Sequence, residues 1–287
     1  MSGTINNMNH ENILLALESK TFESWPPCTQ KESLFSEGSD GRNLVHKLAG
    51  LGRLELLPLE FLSSDILLKG DQTGSTPLHA AALHGNLAKF PAQWRTHVNF
   101  LLKDDVNQTP LHLAAWAGEA QLLPSSLLTL EYLRLPNGQH GATPLHYASS
   151  RGFLDQFPTE CLSSTALRIK DFRDRTPLHD ACFSGFISQI PQKGLSVEGL
   201  LDQDKAGITP LHLAISNRHL HQFKGRLTMK DIHRICNSLY PQFWEHISPS
   251  EKGKLNDFFG EELETQLLKK EKLKNQFTAL ARQHSTL

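Results

Sequence analysis

The chain has no excess of charge of either sign. Lys plus Arg number 29 against 30 Asp plus Glu, a net charge of −1 over 287 residues, and this balance removes the electrostatic argument for nucleic-acid binding. It has no run of the roughly eighteen apolar residues that a bilayer-crossing helix needs, and Met1 to His10 is polar, without a basic segment leading into an apolar one. The expectation is a cytoplasmic protein with no membrane partner. Cysteine is scarce: Cys28, Cys161, Cys182 and Cys236 show no CxxC spacing and are too few for a disulfide framework in a chain this long. Reduced thiols are expected. GxSxG, P-loop, GxGxxG and HExxH patterns are all missing, so no catalytic residue and no cofactor is assigned.

What is present is enough apolar sequence for a large core, 39% hydrophobic against 21% charged, and an unusual fifteen histidines. The histidines lead to a repeat. Thr-Pro-Leu-His occurs at Thr76, Thr109, Thr143, Thr176 and Thr209, at spacings of 33, 34, 33 and 33, and the degenerate copy Asn43-Leu44-Val45-His46 precedes them by 33. Glycine follows nine residues after the Thr position at Gly52, Gly85, Gly118, Gly152 and Gly185, where the sixth copy has Arg218. Six residues further stand Pro58, Pro91, Pro124, Pro158 and Pro191, where the sixth has Lys224.

Each recurring position has a physical meaning. Two residues before the Thr come Gly41, Gly74, Asn107, Gly141, Asp174 and Gly207, the residue types that best tolerate positive φ, so this slot is a turn. Thr then caps a helix with proline at its first position, where no intrahelical amide is needed. The histidine lies on that first turn and is expected to bond nearby backbone. Small pairs such as Ala81-Ala82, Ala114-Ala115, Ala148-Ser149 and Ala181-Cys182 keep one face slim for close helix packing, and the glycine closes the helix in the left-handed region. A second, shorter helix is expected around pairs such as Leu87 and Phe90 or Leu154 and Phe157, with proline interrupting it and starting another short turn. Stretches such as Leu67-Leu68-Lys69 and Leu167-Arg168-Ile169 are expected to be extended, and the extra residue of the 34-residue spacing falls between Pro136 and Ala142.

GxTPLHxAAxxG at a period of 33 resembles the ankyrin repeat over residues 43 to about 227. The resemblance implies an all-α solenoid of helix-turn-helix units with short β-turn hairpins and helical caps at both ends. The proline signature departs from the family pattern and implies shorter outer helices. Residues 1–42 are expected to form an N-terminal capping repeat, 43–227 six repeats, and 228–287 a C-terminal helical cap. Within the first cap, Ile13 to Leu17 supplies an apolar stretch and Phe22, Trp25 and Pro26 match the second-helix signature. In the last segment Met229, Ile232, Ile235 or Cys236, and Leu239 fall at helical spacing, Ser248-Pro249-Ser250-Glu251 forms a capping box, and a longer helix is expected from about Glu261 to Arg282.

His219, His221, His233 and Cys236 are the one cluster that resembles a metal set, but the spacing matches no common zinc module, and no metal site is assigned. Lys269, Lys270, Lys272 and Lys274 follow Glu261, Glu262 and Glu264 on one expected helix, an order the helix dipole favours on a solvated face.

The remaining expectation is surface recognition. In ankyrin-like arrays the variable positions are the turn tips and the two residues after the small pair, and these here include Trp116, Arg151 and Phe183. Together with Tyr147 and the tip residues Phe172, Arg173 and Arg175, they form the expected partner-binding set, since aromatic residues and arginine are the usual interface anchors. The expected function is a monomeric, non-enzymatic scaffold that binds a protein partner through the concave face and turn tips. Two alternatives stand beside it: a microbial effector whose array binds a host protein, and an enzyme or metal protein using the histidine-rich C-terminal region.

Overall fold

The computed structural model describes residues 10–19, 32–34, 36–38, 40–57 and 59–228, with 231, 234, 235 and 253 individually. Phe22, Trp25, Pro26, Pro58, Cys28, His233, Cys236 and the expected helices after Thr228 lie outside the described residues, apart from those isolated positions. The chain divides into two compact units, one made of 1–161 and 170–172 and the other of 162–169 and 173–287. Among the described residues the regular structure is wholly helical, in repeated short elements.

The first unit contains α1 (His10–Glu18), α2 (Leu44–Leu51), α3 (Pro77–Leu83), α4 (Pro110–Ala117) and α5 (Pro144–Arg151). The second contains α6 (Pro177–Ser184) and α7 (Pro210–Ser216). Every helix from α3 to α7 begins with the proline of the motif behind a threonine cap, as the pattern requires. Within the first unit α2 packs on α3, α3 on α4 and α4 on α5; within the second, α6 packs on α7. The slim faces permit this: Ala81, Ala82, Ala114, Ala115, Ala148, Ala181 and Cys182 are all fully buried. All six turn positions, including Asn107 at φ 52° and Asp174 at φ 59°, lie in the left-handed region. Arg218 takes φ 65° where the other copies use glycine, so the sixth helix closes by the same geometry despite its side chain.

The repeat histidine does more than order its own turn. In α3 the His79 Nδ1 accepts the Thr76 N–H at 3.1 Å, and its Nε2 lies 3.2 Å from the carbonyl oxygen of Gln108 in the next copy. His112 repeats this with Thr109 N–H at 3.3 Å and the Leu135 carbonyl at 2.9 Å, and His179 with Thr176 N–H at 3.0 Å and the Ile208 carbonyl at 3.1 Å. An acceptor at Nδ1 and a carbonyl at Nε2 fix the neutral tautomer protonated on Nε2. Burial pushes the affinity of these rings for a second proton down, for His112 to about 4. Each ring is therefore a staple from one repeat to the next.

The second half of each repeat is shorter than a helix pair. Leu54–Leu56, Leu87–Lys89, Ala120–Leu122, Leu154–Gln156 and Ile187–Gln189 are single 3-10 turns, and a second 3-10 turn follows the proline at Ala92–Trp94, Ser125–Leu127, Thr159–Cys161 and Gln192–Gly194. The proline ring prevents the first turn from growing into an α-helix. The stretches expected to be extended are turns as well: Ser64–Leu67 and Val197–Leu201 are α-helical, and Asn99–Leu101 and Ala166–Arg168 are 3-10. Three of these turns carry a side-chain cap at the same repeat position. Thr96 Oγ1 accepts the Asn99 N–H at 3.3 Å, Ser163 Oγ the Ala166 N–H at 3.3 Å, and Ser196 Oγ the Gly199 N–H at 3.1 Å. Each such turn drops a large side chain into the core: Leu67, Phe100, Leu133, Leu167 and Leu200 are fully buried.

The tips are turns closed by backbone bonds, as in Gly74 N–H to Asp71 O at 2.9 Å and Asp71 N–H to Ser75 O at 2.9 Å, and the described residues include no β-strand. An acid or amide at the start of the tip also accepts two of its amides through the side chain. Asp71 Oδ1 accepts from Thr73 N–H at 2.8 Å and Ser75 N–H at 3.0 Å, and Asp104 Oδ1 from Val106 N–H at 3.0 Å and Gln108 N–H at 2.7 Å. Asn137 and Asp204 act in the same way. The extra residue of the fourth copy does sit in its tip, where Gly141 N–H reaches back to Asn137 O at 3.2 Å. Tips are joined by backbone: in the first unit Asp105 N–H meets Thr73 O at 2.8 Å and Phe172 N–H meets His140 O at 2.8 Å, and in the second Lys205 N–H meets Arg173 O at 3.0 Å.

Candidate functional site

A groove of about 260 Å³ opens in the first unit between the tips and the helices α3, α4 and α5. Ala80, Leu83, Leu113 and Trp116 supply its apolar lining, and Gln108 and Tyr147 its polar wall. Leu83 and Trp116 come from the last turns of α3 and α4, past the small pairs that stack the helices, so packing between repeats does not consume them.

Tyr147, one residue after the repeat histidine of α5, is half-buried and held on three sides. Its ring stands edge-on to Trp116 at 5.9 Å between centroids and to His112 at 6.0 Å. Its hydroxyl oxygen accepts from Gln108 Nε2 at 2.8 Å and from Asn137 Nδ2 at 3.0 Å. Burial pushes its ionisation above the ordinary phenol range, the two amide donors oppose this, and the Asp104 charge adds to it. The phenol stays protonated, with both oxygen lone pairs engaged. Arg151, exposed at the end of α5, lays its guanidinium 4.7 Å from the Trp116 ring centroid.

The acids of the tips are already engaged. Asp71 pairs with Arg42 at 3.0 Å; burial opposes its ionisation, but hydrogen bonds from Thr73 and Arg42 hold its carboxyl down at about 2. Asp104 lines the groove with one oxygen committed to its own turn.

Of the seven residues expected to bind a partner, Trp116, Tyr147 and Arg151 come together in the first unit. Phe172, in the same unit, is 56% exposed on its tip and packs against the left-handed Gly141. In the second unit Arg175 pairs with Asp180 at 3.0 Å and places its guanidinium 5.8 Å from the ring of Phe183, which is 52% exposed. Arg173 is exposed on the tip of that unit. Sequence reasoning did not single out Leu113, Gln108 or Asp104 as groove residues. Gln108 had a readable signal, since the residue before each Thr varies through Arg42, Ser75, Gln108, Ala142, Arg175 and Ile208 and is thus not dictated by the turn.

No family model and no curated protein matches the chain. The described residues include no group of His, Cys, Asp and Glu that could hold a metal ion. His219 instead packs against Gly185, and His221 Nδ1 lies 3.2 Å from the Arg218 carbonyl. Cys161 and Cys182 are buried and not joined in a disulfide, and burial, reinforced by Asp180, pushes the Cys182 thiol up and away from the reactive thiolate. No described helix is long and apolar enough to cross a membrane.

Proposed function

We propose that the chain is an ankyrin-like repeat protein that works without catalysis, binding a protein partner through the groove of its first unit and the adjoining tips. The observation that carries this reading is the position of Leu83, 39% exposed, and the part-buried Trp116. They line an open groove on helices whose other faces are fully occupied by stacking, and surplus aromatic and aliphatic surface at such a place is characteristic of interaction sites. The ankyrin identity is supported by the motif and its period, by the Thr-Pro helix start and by the left-handed turn before it. The single turns that replace outer helices make it a shortened form of that repeat.

The test is capture of a partner from a lysate of the source cell on the immobilised full chain. Leu83→Glu and Trp116→Ala should lose the captured protein, while Gln93→Ala, in a 3-10 turn that does not line the groove, should keep it. Equal capture by all four proteins would overturn the reading.

A further inference from the structure

The groove carries an asymmetry of hydrogen-bonding capacity that specifies what it can hold. At the tip end the acidic groups are spoken for: Asp71 by Arg42 and by the Thr73 and Ser75 amides, and Asp104 by the Val106 and Gln108 amides through one of its oxygens. At the helix end stand two donors with nothing to donate to among the described residues. The Tyr147 oxygen receives two N–H groups, so its own O–H hydrogen is left for an acceptor from outside. Among the described residues Arg151 has no carboxylate partner, and its guanidinium lies 4.7 Å from the Trp116 ring centroid with its N–H groups available. A guanidinium stacked in this way is already ordered for two parallel hydrogen bonds to a carboxylate, which lowers the entropy lost on binding. Asp104 tempers the field near Tyr147, so the acceptor there is a neutral one, such as a peptide carbonyl. The anionic acceptor belongs beside Arg151.

Resting on the partner-binding reading above, we infer that the groove recognises a peptide segment in which an aromatic or aliphatic side chain lies beside an Asp or Glu. The apolar side chain covers Leu83 and Trp116. The carboxylate takes the free edge of Arg151, and a backbone carbonyl of the segment accepts the Tyr147 O–H. Complementary charge fixes the register of the segment on an otherwise apolar floor.

The experiment uses random peptides of about twelve residues displayed on phage and selected on the immobilised full chain, followed by fluorescence anisotropy of labelled enriched peptides. Enriched peptides should carry Asp or Glu next to Leu, Phe or Trp, and replacing that acid by its amide should weaken binding by about tenfold. Arg151→Glu should weaken it at least as much, and should bind better than wild type when the peptide acid is changed to Lys. Arg151→Lys, which keeps the charge but not the fork, should lose part of the affinity. Because Arg151 is exposed, unchanged circular dichroism of the variants serves as the folding control. If peptides lose binding to Trp116→Ala but are indifferent to Arg151→Glu and to acid-to-amide exchange, this inference falls and the groove reading stands. If no peptide is enriched, or enriched peptides bind Trp116→Ala as well as wild type, both fall.

Discussion

His112 and Leu135 are joined by a 2.9 Å contact between the imidazole Nε2 and the main-chain carbonyl oxygen, across 23 residues of sequence. The other ring nitrogen accepts the Thr109 amide, so one side chain satisfies a donor at its own helix start and an acceptor far along the chain. His112→Ala would leave the buried Thr109 amide and the part-buried Leu135 carbonyl without this partner and remove a well-packed ring. A loss of about 2–4 kcal/mol of stability is expected in urea unfolding. His84→Ala, at an exposed position just after α3, should stay within about 0.5 kcal/mol.

The same rings set a pH dependence. His46, His79, His112 and His179 all have affinity for protons lowered by burial from the ordinary 6.5, His112 to about 4. The unfolded chain takes up these protons first, so the stability they contribute is present above pH 6.5 and is lost as the pH falls through the window towards 4. His112 alone accounts for about 2–3 kcal/mol across that window. Denaturant midpoints measured from pH 8 to pH 4 should fall mainly below 6.5, and His112→Ala should flatten the curve.

Glu119 works in the opposite direction. Its buried carboxyl accepts the Leu87 N–H at 3.0 Å, and burial pushes its ionisation up from 4.5 to about 7, against the Leu87 amide and the Arg95 charge. Here the folded chain holds its proton longer than the unfolded one, so stability from this group falls as the pH rises from 4.5 to 7 and is level beyond. Glu119→Gln keeps an acceptor for Leu87 without the charge. It should match wild type at pH 4.5 and exceed it at pH 8, which unfolding curves at the two pH values will show.

The aromatic residues on the two units should separate stability from binding. Phe183 is exposed, and Phe183→Ala should change stability by no more than about 0.5 kcal/mol. Trp116 loses its edge contact with Tyr147 and its stack with Arg151, so Trp116→Ala should cost about 1 kcal/mol of stability. Trp116→Ala should weaken partner binding by about 2 kcal/mol, while Phe183→Ala, outside the groove, should leave it unchanged, as titration calorimetry with the captured partner would measure. A sharp fall in melting temperature of Trp116→Ala with intact binding would make that residue a core group.

The repeat made much of this fold readable in advance. The helix starts at Thr76, Thr109, Thr143, Thr176 and Thr209, the left-handed turns and the αL closures all follow from local chemistry that a single residue type enforces. Two further periodicities were equally present but carry weaker local signatures. Ser63, Thr96, Thr129, Ser163 and Ser196 start the last turn of each repeat, and Asp71, Asp104, Asn137, Asp171 and Asp204 begin the tips. Hydroxyl and carboxyl residues are common on surfaces, so only the spacing distinguishes these positions. The second role of the histidines was not legible, because the carbonyl that His79 reaches belongs to Gln108, and a backbone oxygen leaves no mark in the sequence. Trp116, Tyr147 and Arg151 were legible as residues that the scaffold leaves undetermined. Their mutual stacking, and the two amides that occupy the Tyr147 oxygen, depend on neighbouring repeats and required coordinates.

Amide hydrogen exchange of the full chain with and without its captured partner tests the central claim most directly. Slowed exchange confined to the last turns of α3 and α4, near Leu83 and Trp116, and to the tips 71–75 and 104–108 is the expected result. Protection instead at the 3-10 turns around 87–95 and 120–128, with the groove unchanged, would contradict the account.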